Sequence, residues 1–540
     1  MHDMKKPISL KSTKKASIAA PTSSEINALA ALYNQQNYSQ AAEVAKDIIA
    51  RFPQHGFGWK VLGAVLQAQG HIDESLDAKQ KAADLSPSDA EAWSNLGNAY
   101  QDKNRLDDAL KCLRYAIQIS PNLAVAHNNL GITFEKLNRL DDAQSCYQKA
   151  LCLRPDYVEA HYNYGVTLQK MARYDDAQKS YRLAINYNPN HAKAHSNLGL
   201  VLKHLSQFIE SEKHFLIAIK LDPGFIDAHY NFALLLMLLG RLKEGWAQYQ
   251  WFYHPQNTNP SKPNQPNLKA KQWQGEMLQD KTILIHSEQG FGDMIQFVRY
   301  AEHLKVHGAT VWVLVTKPLV ALFNTIKWVD RVLENGEQHN ATYDFWVFPL
   351  ALPYWFQTTL ENLPCNVPYL SANFEKRTWW ENWFTQAGVN RNKKIGLVWA
   401  GNPVHSNDAN RSIDLSQFAC LSELQNITWV SLQLGEKARS QCLNSSLNML
   451  DASAYIDDFT DTAALLENLD LLISVDSSPA HLAGALNVPV WTLITAVPDW
   501  RWLLAREDAV WYKSMRLFRQ PEKGDWMSVL SDVKKALEVF

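Results

Sequence analysis

Two rhythms of apolar and polar positions divide the chain. Through the first half, small residues return every 34 positions. Ala82, Ala116, Ala150, Ala184 and Ala218 form one column, and Ala109, Ala143 and Ala177 another. Gly63, Gly97, Gly131, Gly165 and Gly199 keep the same interval, as do Pro53, Pro87, Pro121, Pro155, Pro189 and Pro223. A ring stands four residues before each glycine, at Trp59, Trp93, His127, His161 and His195. A fixed period of this length predicts units of two antiparallel helices. The small residues let paired helices approach closely, and each proline opens a turn where a missing N–H is tolerated. One unit cannot bury its apolar stripe alone, so the units are expected to stack into a superhelix with a concave face. Six full units are clear. A seventh begins at Ala228 and continues through Gly240 and Tyr249, with Ala233 in the glycine column and no closing proline. Such a terminal unit is expected to dock onto the domain C-terminal to it.

The second rhythm starts after residues 254–270, whose Pro and Asn content ends the helical period and marks a linker. Short β-branched apolar runs then alternate with helical stretches, at 282–286, 310–315 and 344–348, and again at 394–399, 428–432, 471–475 and 490–494. Buried parallel strands with helical crossovers read this way. A break near 368–391 splits them into two α/β lobes facing a cleft, with ligands expected beyond the carboxyl ends of the strands. The expected layout is a basic leader at 1–21, a solenoid at 22–253, a linker at 254–270, a first lobe at 271–380 and a second at 381–540.

The repeat half resembles the tetratricopeptide repeat family over about residues 22–250. Asn95, Asn129, Asn163, Asn197 and Asn231 are also 34 apart, with Asn27 in phase and Val61 breaking the column. They fall in the helix that lines the concave face in that family. The column resembles the asparagine ladder of the O-linked N-acetylglucosamine transferases, which grips an extended polypeptide. A side-chain amide donates and accepts together, which suits peptide bonds. It equally suits a brace between neighbouring units, and both readings stand. The histidines occupy the family's tryptophan position a full unit apart, which favours packing over metal binding.

Composition narrows the classes. With 46% hydrophobic and 20% charged residues, the 540-residue chain can build large cores and is not disordered throughout. A formal charge of −2 gives no basic field for a nucleic-acid partner. The six cysteines form no zinc knuckle or CxxC pair, as expected of inert thiols in a reducing cytoplasm. The leader has no apolar core of a secretory signal, and no stretch approaches the ~20 residues of a membrane span.

Chemistry concentrates at strand exits. After 282–286 comes a Gly290–Gly292 turn with Asp293 at a helix start, where the helix dipole favours a carboxylate. Asp293 is a candidate base, or an ordinary cap. The 394–399 strand runs into Ala400, Gly401 and Asn402, small residues that expose backbone donors to a diphosphate. His405 and Arg411 stand beside them, and Arg411 forks well onto phosphate. Gln433, at the next strand exit, meets a nucleotide base or caps backbone. The 471–475 strand delivers Asp476, Ser477 and Ser478, then Pro479 opens a helix carrying His481. Hydroxyls and free N–H groups at a helix start make an anion site. Asp476 would orient neighbours or hold a ribose hydroxyl. Asp499, Trp500, Arg501 and Trp502 line the cleft as a stacking surface or form a hydrophobic rim.

The strings GFGDMIQFVRY, GLVWAGNP, SVDSSPAHLAGAL and VPVW resemble bacterial glycosyltransferases of the two-lobed B-type fold, close to the heptosyltransferases, over roughly 280–520. The resemblance implies sugar transfer from a nucleotide-activated donor (UDP-, GDP- or ADP-linked) with inversion and no required metal. It makes Asp293 the candidate base. It assigns Asp476, Ser477, Ser478 and His481 to the donor segment, and Gly401, Asn402 and Arg411 to the first phosphate loop. Closure of the lobes would exclude water. Repeats followed by a transferase also resemble the O-linked N-acetylglucosamine transferases, which implies a polypeptide acceptor and possible self-association through repeats. Two departures stand out: the family's lysine near the donor phosphates has no clear counterpart, and Ser477–Ser478 replace its usual threonine and glycine. A glycan or small-molecule acceptor, and a non-catalytic scaffold with a nucleotide-sensing domain, are the competing readings.

Overall fold

The computed structural model describes residues 20–259, 262–288, 290–389, 391–404 and 407–540. Most of the predicted leader, and His405, lie outside the described residues. The chain divides into two compact units, 1–205 and 206–540, and each is described by itself. Among the described residues no helix is long and apolar enough to cross a membrane.

In the first unit, helices alternate from Ser23–Asn34 to Ala192–His204. The glycine column is where paired helices touch. A Cβ on Gly97 would lie 2.6 Å from Leu113 Cγ, and on Gly131 or Gly165 it would lie 2.7 or 2.6 Å from Cε1 of Tyr147 or Tyr181. The contact residue is 16 positions on in each case, as Lys79 is from Gly63. The recurring ring has a definite bond. Trp93 Nε1 donates to the Pro87 carbonyl at 3.1 Å, and His127, His161 and His195 reach the carbonyls of Pro121, Pro155 and Pro189 at 2.8–3.0 Å. A carbonyl only accepts, so each Nε2 carries the proton. Burial lowers the pKa of His161 and His195 against those bonds. The asparagine column bonds sideways: Asn129 Nδ2 to Ser94 Oγ at 3.4 Å, Asn163 Nδ2 to Asn128 Oδ1 at 3.1 Å, and Asn197 Nδ2 to the hydroxyls of Tyr162 and Tyr181 at 3.3 Å. These bonds are those of a brace between units.

One periodic feature has no residue signature. The turn inside each helical pair contains a left-handed residue at Gln36, Gly70, Asn104, Asn138, Ala172, Ser206 and Gly240, again every 34 positions. This is the helix-terminating conformation that favours Gly or Asn, yet five residue types fill it.

In the second unit, the last repeat helices, Ile226–Leu238 and Leu242–Tyr249, join the core of the α/β region. Trp246 is fully buried, edge-on to Phe297 and Trp500 at 6.0 and 5.2 Å. This is the expected docking of a terminal unit. Its close helix approach shifts from the column of Ala233 to Gly245, which sits against Met237.

The α/β region has two sheets. The first contains β1 (Lys271–Gln272), β2 (Thr282–Ile285), β3 (Thr310–Val315), β4 (Arg331–Glu334) and β5 (Phe345–Val347), in the order β1-β5-β2-β3-β4, all parallel. The second contains β6 (Lys393–Val398), β7 (Ile427–Ser431), β8 (Met449–Asp451), β9 (Leu471–Val475), β10 (Val490–Ile494), β11 (Asp508–Ala509) and β12 (Tyr512–Arg519). Its order is β11-β12-β10-β9-β6-β7-β8, and only the β11–β12 pair is antiparallel. Side chains alternate between two cores: Ile395, Leu397, Leu471 and Ile473 on one face, Val398, Leu472 and Val490 on the other. A parallel sheet buried on both faces explains the unbroken apolar runs. The Phe374–Gln386 helix spans the expected lobe boundary at 380/381 and packs on the Phe459–Leu466 helix of the second sheet's region.

Candidate functional site

The carboxyl end of β2 leads to Gly290, which caps the Phe291–Phe297 helix. Asp293 is the third residue of that helix and accepts from the Gly290 N–H at 3.0 Å. So it does cap, as expected of the plainer reading. Its other oxygen pairs with Arg501. Arg501 is a hub: Nη1 binds Asp499 at 2.9 Å and Nε donates to Gln296 Oε1 at 2.6 Å. Burial opposes its charge, but the carboxylates of Asp499 and Asp293 outweigh it and raise its pKa. Arg501 is thus the residue that joins the first strand exit to the turn after β10.

The helix carrying Asp293 packs on the Ser478–Ala485 helix that follows β9. A Cβ on Gly292 would lie 2.9 Å from His481 Cδ2. His481 is buried, stacked on Trp502 at 5.3 Å, with Nδ1 3.0 Å from the Tyr512 hydroxyl and Nε2 3.9 Å from Asp476 Oδ1. Burial, then the charges of Arg501, Arg299 and Arg411, hold its pKa well below the usual histidine value, so the imidazole is neutral. Burial and the Asp499 carboxylate raise the Asp476 pKa to about 6. Ser477 caps the Ser478–Ala485 helix and exchanges a 2.9 Å bond with Ser474 Oγ. Ser478 is the first residue of that helix, and Pro479 follows it in the first turn.

Beside this, β6 ends at the Gly401 turn. A Cβ on Gly401 would lie 2.5 Å from Asp408 Oδ1 and 2.7 Å from Arg411 Nε, so a larger residue would displace that carboxylate and guanidinium. Arg411 pairs with Asp408 at 3.4 Å. Asn402 Oδ1 accepts from the Val404 N–H at 3.2 Å, closing the turn. Gln433 Oε1 accepts from the N–H groups of Trp399 and Ala400 at 3.1 and 2.9 Å, and the Gly401 N–H donates to Ser412 Oγ at 2.9 Å. Gln433 therefore holds the β6 exit by its backbone. β6 and β9 are neighbours, so their exits lie side by side.

Trp500 and Trp502 are buried, 5% and 1% exposed, and pack as a hydrophobic rim; they offer no open stacking surface. Three buried polar residues escaped the sequence reading. Arg299 is bonded to the carbonyls of Gln296, Pro364 and Trp511 and to the Tyr369 hydroxyl at 2.7–2.9 Å. Glu288, 4% exposed, lies at the β2 exit just before the glycine turn, and burial lifts its carboxyl to about 8. Tyr253 donates to it. The available signal for Glu288 was its place, a carboxylate at the end of a parallel strand. Among the described residues no cluster of His, Cys, Asp and Glu has the makings of a metal site.

Comparisons with known proteins fit this layout. Tetratricopeptide repeat profiles match residues 63–104, 88–156 and 134–198, and glycosyltransferase family 9 (heptosyltransferase) matches 456–522, the stretch from before β9 past β12. Protein FlbA of Caulobacter vibrioides is 24% identical over 331 residues, covering 56% of this chain and 54% of FlbA; the chain spans about half the length of that relative. Among solved structures, the Cut9–Hcn1 tetramer of the APC/C aligns over 39% of this chain and 42% of its own, with 19% identity and a TM-score of 0.38. PilF of Pseudomonas aeruginosa aligns over 38% and 93%, with 18% identity and a TM-score of 0.35.

Proposed function

We propose that this chain, a tetratricopeptide-repeat region fused to a glycosyltransferase family 9 (heptosyltransferase-like) domain, is an inverting glycosyltransferase of the two-lobed B-type fold. It moves a sugar from a UDP-, GDP- or ADP-linked donor to a polypeptide. The solenoid is residues 22–253, the linker 254–270 and the lobes 271–380 and 381–540. The observation that carries the reading is the contact of Gly292 with His481, which brings the Asp293 helix of the first lobe to the Asp476–His481 segment of the second.

In this reading the Asp293 carboxylate takes the proton of an acceptor hydroxyl as its oxygen bonds the anomeric carbon. The bond from that carbon to the diphosphate breaks, and its electron pair leaves on the diphosphate oxygen. Arg411 and the N–H groups at the Ser478 helix start balance the growing charge, with Gly401 and Asn402 shaping the loop beneath. Asp476, held partly protonated by its surroundings, gives a donor hydroxyl a partner that can donate or accept. Neutral His481 and Ser477 fix that segment, and Gln433 holds the β6 exit in register.

The acceptor is proposed to arrive past Tyr230, one residue before Asn231 in the asparagine column. Its ring stacks on Phe252 at 4.7 Å, and among the described residues its hydroxyl makes no hydrogen bond. Burial, then the Asp499 carboxylate, raises its pKa to about 12, so it stays protonated. Asp293→Asn tests the reading. Thermal shift with UDP-N-acetylglucosamine, GDP-mannose and ADP-glucose should still report donor binding, while transfer to lysate proteins, read by mass spectrometry, is lost. Full transfer by that variant would exclude Asp293 as base.

A further inference from the structure

Glu288 lies outside the proposed donor and acceptor contacts, yet its bonds cross three chain segments. Both of its oxygens lie 3.0 Å from the Tyr253 hydroxyl, and Oε1 accepts from the Leu350 N–H at 2.8 Å. Tyr253 closes the short turn of helix Gln250–Tyr253, which directly follows the last repeat helix. Leu350 lies in the turn after β5, and β5 pairs with β2. The Tyr253 ring stacks on Phe348 at 5.2 Å and 12°. Two residues after Glu288, the Gly290 N–H holds Asp293.

We propose that Glu288 is a positioning residue that ties the end of the repeat array, through Tyr253, to the loop that sets Asp293. This rests on the reading of Asp293 as base. Among the described residues no cation pairs with Glu288; such a buried carboxyl is stable when neutral, and burial holds it protonated up to about pH 8. The groups facing it are Tyr253, whose own pKa burial pushes well above the usual range, Tyr230, and the Asp293 carboxylate, whose charge further disfavours ionisation of Glu288. The working form is therefore the neutral acid, which glutamine imitates in shape and charge. The last repeat hairpin is then a part of the transferase rather than only a path for the acceptor.

Hydrogen exchange on the full chain tests this without any donor. At pH 7, peptides covering 286–297 should exchange about tenfold faster in Glu288→Ala, severalfold faster in Tyr253→Phe, and at the wild-type rate in Glu288→Gln, with peptides from 40–200 unchanged in all three. Unchanged protection of 286–297 in Glu288→Ala overturns the proposal. So does a loss in Glu288→Gln equal to that in Glu288→Ala, which would mean that the charged carboxylate is what matters. Because the readout needs no turnover, an Asp293→Asn variant that keeps transfer would refute the base assignment alone and leave this result standing.

Discussion

Gly292 faces the imidazole ring of His481 so closely that a methyl group at position 292 would sit 2.9 Å from Cδ2. The ring has nowhere to go. Trp502 stacks on one side and the Tyr512 hydroxyl holds Nδ1. Gly292→Ala should therefore push the two helices apart. We expect a loss of about 1–3 kcal/mol, the usual range for overpacking, and a drop in transfer of at least tenfold. Urea denaturation and turnover of the same preparation check both. A fully active, fully stable variant would show that the contact is slack.

Arg501 serves Asp293, Asp499 and Gln296 at once. Arg501→Met keeps much of the volume but leaves two carboxylates facing each other without a cation. Removing one partner of a buried pair typically costs about 3–5 kcal/mol. The variant should lose a comparable amount, and Asp499→Asn in the same background should recover part of it. The measurement is a double-mutant cycle by chemical denaturation; simple additivity of the two changes would refute the hub.

The Glu288 carboxyl is raised by burial from 4.5 to about 8. A group raised in the folded state favours folding fully below its unfolded value, and that contribution fades as pH rises through the folded one. Wild type should thus lose stability relative to Glu288→Gln between about pH 4.5 and pH 8, by on the order of a few kcal/mol. The difference in melting temperature, taken across that window, should widen steadily with pH. A flat difference contradicts a buried neutral acid.

In the repeats, a Cβ on Gly165 would lie 2.6 Å from Tyr181 Cε1, and Tyr181 is fully buried with its hydroxyl bonded to Gln169. Gly165→Ala should cost about 1–3 kcal/mol without moving donor binding. Pairing it with Tyr181→Phe should not rescue, because the clash is with the ring. Tyr181→Leu should recover part of the loss, as read from the repeat unfolding transition.

The repeats were legible because a shared contact demands a shared residue type: Gly63, Gly97, Gly131 and Gly165 each meet the side chain 16 positions on. The left-handed turns were not, since Gln36, Ala172 and Ser206 take that conformation at a cost of about 1–2 kcal/mol, in the same column as Asn104 and Asn138. Strands β9 and β10 stood out as unbroken apolar runs. β12 did not, because exposed Lys513 and Arg516 interrupt its buried positions. Asp293, Asp476 and His481 were marked by strand–turn–helix grammar. Glu288 and Tyr253 are 35 residues apart, and nothing local to either announces the other.

Arg299 sits 2% exposed, and among the described residues it has no carboxylate partner. Its charge is dispersed over three carbonyls, one phenol and the faces of Tyr369, Trp511 and Tyr512. Gln296 belongs to the Phe291–Phe297 helix, Trp511 directly precedes β12, and Pro364 and Tyr369 lie between β5 and the Phe374–Gln386 helix. A motion that parted these groups would strand a buried cation, at several kcal/mol. Arg299 therefore knots four separate stretches of chain, at Gln296, Pro364, Tyr369 and Trp511, into one buried junction.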